Sequence, residues 1–276
     1  MTMNTKAGAA DVPLDTPSIA RMYDYWLGGF HHFAVDRQVA EELVALYPAL
    51  PLVARANRAA LRRIVTFLAA RGIDQFLDIG SGIPTVGNVH EVAQRSNPAA
   101  RVVYVDNDPI AVEHSRAILE DNPFATVVEA DARRPVELLA HPEIQRLLDF
   151  RQPVAVLVLA LLHFIPDDAE ADRVVRTLRD ALPPGSYLAI SHATYGHLPG
   201  ETTAQIERAY TRITTGGKYR PPAAIARFFD GLTLIEPGLV YAPLWRPETP
   251  DDPFLDRPEE SANLIGVGCT PERARE

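Results

Sequence analysis

From Gln75 onward, short apolar runs alternate with stretches of helical periodicity, the pattern of a parallel sheet whose strands are joined by crossover helices. The runs predict strands near Gln75–Ile79, Val102–Asp106, Thr126–Glu129, Val154–Leu159 and Tyr187–Ser191. Val154–Leu159 is apolar throughout, which suits a central strand buried on both faces. Helices are predicted near Val86–Arg95, Ile110–Glu120 and Ala169–Leu182. The rhythm then changes. A helix near Pro222–Phe229 precedes two late strands, Thr233–Tyr241 and Leu264–Gly268, and the proline-rich stretch Pro243–Pro258 reads as the surface loop of a terminal hairpin. Five βα units closed by such a pair predict an α/β three-layer sandwich with a seven-stranded, mostly parallel sheet.

Residues Met1–Asp15 are small and polar and read as a flexible leader. Residues 16–72 carry three helical patterns, Ser18–Leu27, Ala34–Leu46 and Val53–Ala70, with Gly72 where a C-terminal cap is expected. They form an accessory segment ahead of a core over residues 73–276. Arg55, Arg58, Arg62 and Arg63 recur at helical spacing and read as a solvated face.

Composition narrows the partners. The 276 residues hold 27 Lys and Arg against 36 Asp and Glu, a formal net charge of −9. A nucleic-acid partner would need a concentrated basic surface, so none is expected. The single cysteine, Cys269, excludes an internal disulfide. The eight histidines show no metal-ligand spacing, so no metal is expected. No apolar run approaches the roughly 20 residues of a membrane span. With no signal-peptide pattern at the start of the chain, a cytoplasmic protein that does not engage a membrane is expected. Nothing in the sequence sets an oligomeric state.

Chemistry concentrates at the predicted strand ends. Phe76–Thr85 is a strand that ends on Asp78 and turns through Gly80 and Gly82 into a helix, and such glycines let a ligand approach the backbone. Thr85 stands where a dinucleotide fingerprint would place its third glycine. The next strand ends on Asp106, whose carboxylate can accept from both hydroxyls of a ribose, with a loop cap as the bland reading. Asp131 ends the third, suited either to an adenine amine or to a helix cap. The fourth runs through Ala160 to His163, beside the central crevice. His163 can serve as a base near neutrality or as a structural histidine. His90, His192 and His197 read as packing residues. Tyr23-Asp24-Tyr25-Trp26-Leu27-Gly28-Gly29 gathers three aromatics before two glycines. It reads as an aromatic lid or as helix packing.

On these residues the chain resembles a bacterial S-adenosylmethionine-dependent methyltransferase family long catalogued as a domain of unknown function. The matching segments are Asp24–Gly29, Arg55–Asn57, Phe76–Thr85, Asn88–Gln94, Tyr104–Pro109, Leu162–Phe164, Ser191–Thr194 and Trp245–Pro247. The ending at Gly268–Thr270 departs from the basic tail of relatives. The resemblance implies a class I methyltransferase fold, Rossmann-like, with S-adenosylmethionine as cofactor. It implies cofactor contacts by Tyr23, Trp26, Gly28, Asp78, Gly80, Gly82 and Ala160. It places Asp106 with Asn107 on the ribose and Asp131 with Ala132 on the adenine. Arg58 and Asn57 would hold the methionine carboxylate or serve a helix salt bridge or cap.

Methyl transfer to a small-molecule acceptor is the reaction expected, ahead of a protein acceptor. A non-enzymatic module that senses S-adenosylmethionine shares the same motifs. A nicotinamide-dependent oxidoreductase is disfavoured by Thr85.

Overall fold

The computed structural model describes residues 16–83, 87–196, 198–213, 216–250 and 252–271. The leader Met1–Asp15, Thr85 and His197 lie outside the described residues. The chain begins with α1 (Ile19–Leu27), α2 (Ala34–Leu46) and α3 (Leu50–Ala69). It continues as β1 (Gln75–Ile79), α4 (Val89–Ser96), β2 (Arg101–Asp106), α5 (Pro109–Leu119), β3 (Ala125–Glu129), α6 (Pro135–Leu139) and α7 (Pro142–Leu147). Next come β4 (Ala155–Leu159), α8 (Asp168–Asp180), β5 (Tyr187–Ala193), α9 (Gly200–Tyr210) and α10 (Pro222–Ala226). The strands β6 (Thr233–Leu234), β7 (Val240–Tyr241) and β8 (Asn263–Cys269) close the sheet.

The strands lie in the order β3-β2-β1-β4-β5-β8-β6, with β7 also paired to β8. The first five are parallel to their neighbours and β8 runs antiparallel to β5. This is the mostly parallel sheet that the apolar runs predict, with eight strands instead of seven. The extra strand arises because Thr233–Tyr241 is not continuous. Pro237 has no amide hydrogen to give a ladder and Gly238 takes a left-handed φ of 87°, so pairing lapses between β6 and β7. Three helices were not anticipated: α6 and α7, each of five or six residues, and α9. Elements as short as α6 and α7 carry too little periodicity to register.

Alternate strand residues feed two apolar layers. Phe76, Val102, Tyr104, Val127 and Leu157 pack against α3, α4 and α5 on one face. Leu77, Val103, Val105, Val156 and Val158 pack against α6, α7 and α8 on the other. β4 lies between β1 and β5 and is buried along its whole length, as a strand covered on both faces must be. A third cluster joins α1, α2, the start of α3 and α9 through Met22, Trp26, Leu43, Tyr47, Ile206 and Tyr210.

The arginines of α3 do not form one solvated face. Arg55 is exposed, but Arg63 is buried. Arg63 donates to the Trp245 carbonyl at 2.8 Å and the Ala242 carbonyl at 2.9 Å, and it pairs with Asp252 at 3.4 Å. Burial alone would push the Arg63 guanidinium down from its ordinary pKa, and Asp252 opposes that. Its carbonyl partners lie some 180 residues away, so helical spacing cannot reveal them. Arg63→Met should therefore cost about 3 kcal/mol, because it strands two buried carbonyls. Arg151→Ala removes only a surface pair with Asp149, screened by solvent, and should leave the melting temperature nearly unchanged. Thermal unfolding of both variants checks the difference.

Candidate active site

The C-terminal ends of the parallel strands and the third apolar cluster enclose a cavity of about 640 Å³, within the range of about 300–1,000 Å³ typical of small-molecule sites. Because parallel strands all end at the same edge, residues far apart in sequence meet there. Asp78, Gly80 and Gly82 line it after β1, and Asp106 and Asn107 line it after β2. Asp131 and Ala132 line it after β3, and Ala160 and His163 after β4. Tyr23, Trp26 and Arg58 line it from α1 and α3.

The β1 turn has a specific stereochemistry. Gly80 and Gly82 both take left-handed φ values, 73° and 63°, which side chains with a Cβ rarely adopt. A Cβ on Gly80 would sit 2.8 Å from the Leu161 side chain, whereas at Gly82 it would meet open space. The Gly82 amide donates to Asp106 at 2.7 Å, and the Asp108 amide donates to the other oxygen of the same carboxylate at 2.9 Å. Asp106 thus ties the β1 turn to the β2 turn with one lone pair of each oxygen and keeps further acceptor capacity. Burial pushes its carboxyl up to about 6, against the amides that favour its charge.

Asp78 is also buried, and among the described residues no hydrogen-bond donor reaches its carboxylate. Burial drives it up to about 7, opposed by the positive charge of Arg58 and reinforced by Asp106. Arg58 itself makes no hydrogen bond or salt bridge among the described residues, and its guanidinium lies 5.9 Å from the Tyr23 ring centroid.

Asn57 also lines the cavity, but its amide is already engaged. Its Oδ1 accepts from Ser191 at 2.8 Å and Asn263 at 3.0 Å, and its Nδ2 donates to the Tyr23 hydroxyl at 3.0 Å. Asn57 is therefore a strut between α1, α3, β5 and β8, with one of its two Nδ2 hydrogens already given to Tyr23. The same Ser191 hydroxyl accepts from the Ala160 amide at 2.8 Å. Ala160 takes φ 53°, a left-handed conformation uncommon for a residue with a side chain and characteristic of functional turns.

Two sequence expectations change. Gly28 is not among the lining residues; it ends α1 in a left-handed conformation, its amide donating back to Asp24 and Tyr25 carbonyls, so it is a helix cap. Asp131 is held by its own loop, accepting from the Arg133 backbone at 2.9 Å and guanidinium at 2.7 Å. Burial resists its charge, but the Arg133 hydrogen bonds outweigh that and hold the carboxyl below its usual range. His192 and His90 are packing residues. Nδ1 of His192 meets the Ala193 carbonyl at 2.7 Å while Nε2 takes a hydrogen bond from Arg220 at 2.9 Å. The backbone amide of His90 donates to the Tyr104 hydroxyl at 2.8 Å.

His163 sits on the single helical turn after β4, with its ring 5.5 Å from that of His192. Its Nδ1 is buried and has no hydrogen-bond partner among the described residues. Burial, then the neighbouring His192 and Arg220, hold it well below the ordinary histidine range. Arg220 fixes this turn, donating to the Leu162 carbonyl at 3.0 Å and the Ile165 carbonyl at 2.8 Å while pairing with Asp168 at 2.9 Å. Sequence reading missed Arg220, which lies in an aperiodic segment after α9. It also missed Arg21, which pairs with Asp36 at 2.8 Å and Asp108 at 3.5 Å and so docks α1 on the β2 turn.

A family model described as S-adenosyl methyltransferase matches residues 5–271. The chain belongs to the S-adenosyl methyltransferase family. Its cofactor is S-adenosylmethionine, and its fold is the class I methyltransferase fold. It is similar to a protein from Thermobifida fusca YX, described provisionally as a methyltransferase, with 43% identity and a TM-score of 0.88 over 96% of this chain and 100% of that one. A DUF574 family protein from Streptomyces avermitilis MA-4680 shows 39% identity and a TM-score of 0.88 over 94% and 99%. An O-methyltransferase family protein from Burkholderia thailandensis shares the fold at 15% identity and a TM-score of 0.52, over 94% of this chain and 66% of that one. Comparison with curated proteins gives no match. Among the described residues no helix is long and apolar enough to cross a membrane, and no three His, Cys, Asp or Glu side chains group to hold a metal.

The buried acids of this methyltransferase carry a signature in stability. A carboxyl raised in the folded state stabilises most below its unfolded pKa, and that contribution is lost as pH rises through the folded value. For Asp78 the loss runs from about pH 4 to about pH 7. Asp78→Asn should accordingly be more stable than the parent in the ligand-free protein at pH 8, by on the order of 3 kcal/mol, with the advantage shrinking toward pH 5. Melting temperatures across that range test it, and a gap independent of pH would remove the assignment.

Proposed function

We propose that this methyltransferase transfers the methyl group of S-adenosylmethionine to a small-molecule acceptor, both held in the one cavity at the sheet edge. The observation that carries the reading is the continuity of that cavity, from Asp131 and Asp106 past Gly80 to His163 and Asn263. The cofactor supplies a methyl group on an activated sulfonium leaving group, so the protein contributes chiefly alignment and exclusion of water.

Asp106 has lone pairs left to accept from ribose hydroxyls, and Asn107 lies beside it. Asp131 and Ala132 flank the adenine end, with the Asp131 carboxylate already shared with Arg133. The unpartnered Asp78 carboxylate and the free Arg58 guanidinium suit the ammonium and carboxylate of the methionine part. Gly80 and Gly82 leave room at the backbone, and Ala160 turns the chain away from the donor. Tyr23 and Trp26, with α1 to α3, cover the edge against solvent.

His163 acts as base for a protic acceptor. The acceptor oxygen or nitrogen forms the bond to the methyl carbon, the carbon–sulfur pair stays on sulfur, and the acceptor proton passes to the imidazole and then to water. A buried imidazole resists protonation, but the positive charge it gains replaces the one lost from sulfur. The net charge of the site is therefore unchanged through the step.

Asp106→Ala should weaken binding of S-adenosylmethionine by about 10- to 100-fold, the worth of one or two charge-assisted hydrogen bonds, while Asp121→Ala leaves it unchanged. Ionised Asp78 favours a ligand ammonium, so affinity should rise as pH increases from 5.5 to 8. Calorimetric titration reads both, and folded protein that takes up no cofactor would sink the proposal.

A further inference from the structure

The strand order divides the cavity lining by chemistry. Adjacent strands lie about 4.8 Å apart, so the lining from β3 to β8 spans about 24 Å, longer than a nucleoside alone requires. The charged lining residues belong to α1, α3 and the ends of β1, β2 and β3: Arg21, Arg58, Asp78, Asp106, Asp108, and Asp131 with Arg133. Beyond β1 the character changes. The lining that follows β4 and β5, that of α9, the loop before α10 and the start of β8 includes His163, Phe164, Ala193, Tyr210, Tyr219 and Asn263 and, among the described residues, no Asp, Glu, Lys or Arg.

Within this second half the polar atoms left over are few. Asn263 is committed to Asn57 at 3.0 Å. The Tyr210 and Tyr219 hydroxyls have no hydrogen-bond partner among the described residues, and burial drives both well above the ordinary tyrosine range. Neither ring nitrogen of His163 has a hydrogen-bond partner among the described residues; Nδ1 is closed off from the cavity, so Nε2 is the nitrogen a ligand can reach. A ligand that fits must be flat and apolar enough for aromatic walls. It must carry one donor for an imidazole nitrogen and an acceptor for a phenolic hydroxyl. It cannot bring a full charge, since no counter-charge among the described residues lines this half and an unpaired buried ion costs several kcal/mol.

We propose that the acceptor of this methyltransferase is an uncharged aromatic compound bearing a phenolic hydroxyl, seated among Phe164, Tyr210 and Tyr219 with its hydroxyl donating to His163. The inference rests on the methyl-transfer reading above and names the acceptor class of that same site. A phenol is an acceptor as well as a donor, so one hydroxyl can serve His163 and a tyrosine together. His163 selects the acceptor in its neutral form, which burial maintains across neutral pH. Arg220 keeps the turn that carries it in place.

Four probes of matched shape separate the possibilities: 4-phenylphenol, 4-methoxybiphenyl, biphenyl-4-carboxylate and 4-phenylbenzylammonium. Each is titrated calorimetrically into the full chain saturated with S-adenosylhomocysteine. The phenol should bind at least about 30-fold tighter than either ion and about tenfold tighter than the methyl ether, which lacks the donor. In His163→Leu the tenfold preference over the ether should vanish while S-adenosylhomocysteine still binds, and His163→Gln, which restores an acceptor, should recover part of it. A charged probe that matches the phenol, a preference unchanged in His163→Leu, or a phenol that fails to bind the cofactor-loaded protein would each overturn the acceptor class and leave the cofactor reading standing. Failure of S-adenosylhomocysteine itself to bind the parent protein would instead take down both.

Discussion

The site depends on one buried carboxylate that organises backbone before it can meet any ligand. Asp106 receives the Gly82 amide from one turn and the Asp108 amide from the next, so two strand ends are locked in register by a single side chain. Asp108 in turn takes Arg21 and the Ser18 hydroxyl, which brings α1 over the edge. That anchor fixes the β1 and β2 turns relative to each other, and Asp108 carries α1 onto the same edge. Its burial is costly, as its raised pKa records, and the surrounding amides offset part of the cost.

A second constraint operates on the far side. Asn57, Ser191 and Asn263 join α3, β5 and β8 through one amide, while Arg220 binds the carbonyls of the turn after β4. Both polar centres are buried and satisfied, and satisfied buried networks hold geometry tightly. Between them lie groups with spare capacity among the described residues: the Asp78 carboxylate, the Arg58 guanidinium and the His163 ring. The distinction between committed and uncommitted polar atoms separates scaffold from chemistry here. By that criterion Asn57, although it faces the cavity, belongs to the scaffold.

Strand ends were the most legible part of the site. Asp78, Asp106 and Asp131 each terminate an apolar run, and parallel strands bring such ends together whatever lies between them. The aromatic segment Tyr23–Gly29 was legible as an amphipathic helix, with Tyr23 and Trp26 on the cavity wall, but not in its detail. Asp24 accepts from the His31 amide at 2.7 Å, and a Cβ on Gly29 would fall on its carboxylate, a contact between loop and helix that no periodicity records. Gly28 was misplaced because a helix cap and a flexible lid ask for the same residue.

Local spacing in the sequence determined the α/β alternation, the central place of β4 and the row of acids at one edge, because these depend on the two periodicities of strand and helix and on the rule that parallel strands share an end. Tertiary structure alone decided which polar groups were spent. Arg63, Asn57 and Arg220 find partners 28 to 206 residues away, and a hydrogen bond across such a distance leaves no mark in neighbouring residues. The same holds for the division of the cavity into a charged half and an aromatic half. It is set by the order β3-β2-β1-β4-β5-β8, in which strands adjacent in space are not always adjacent in the chain.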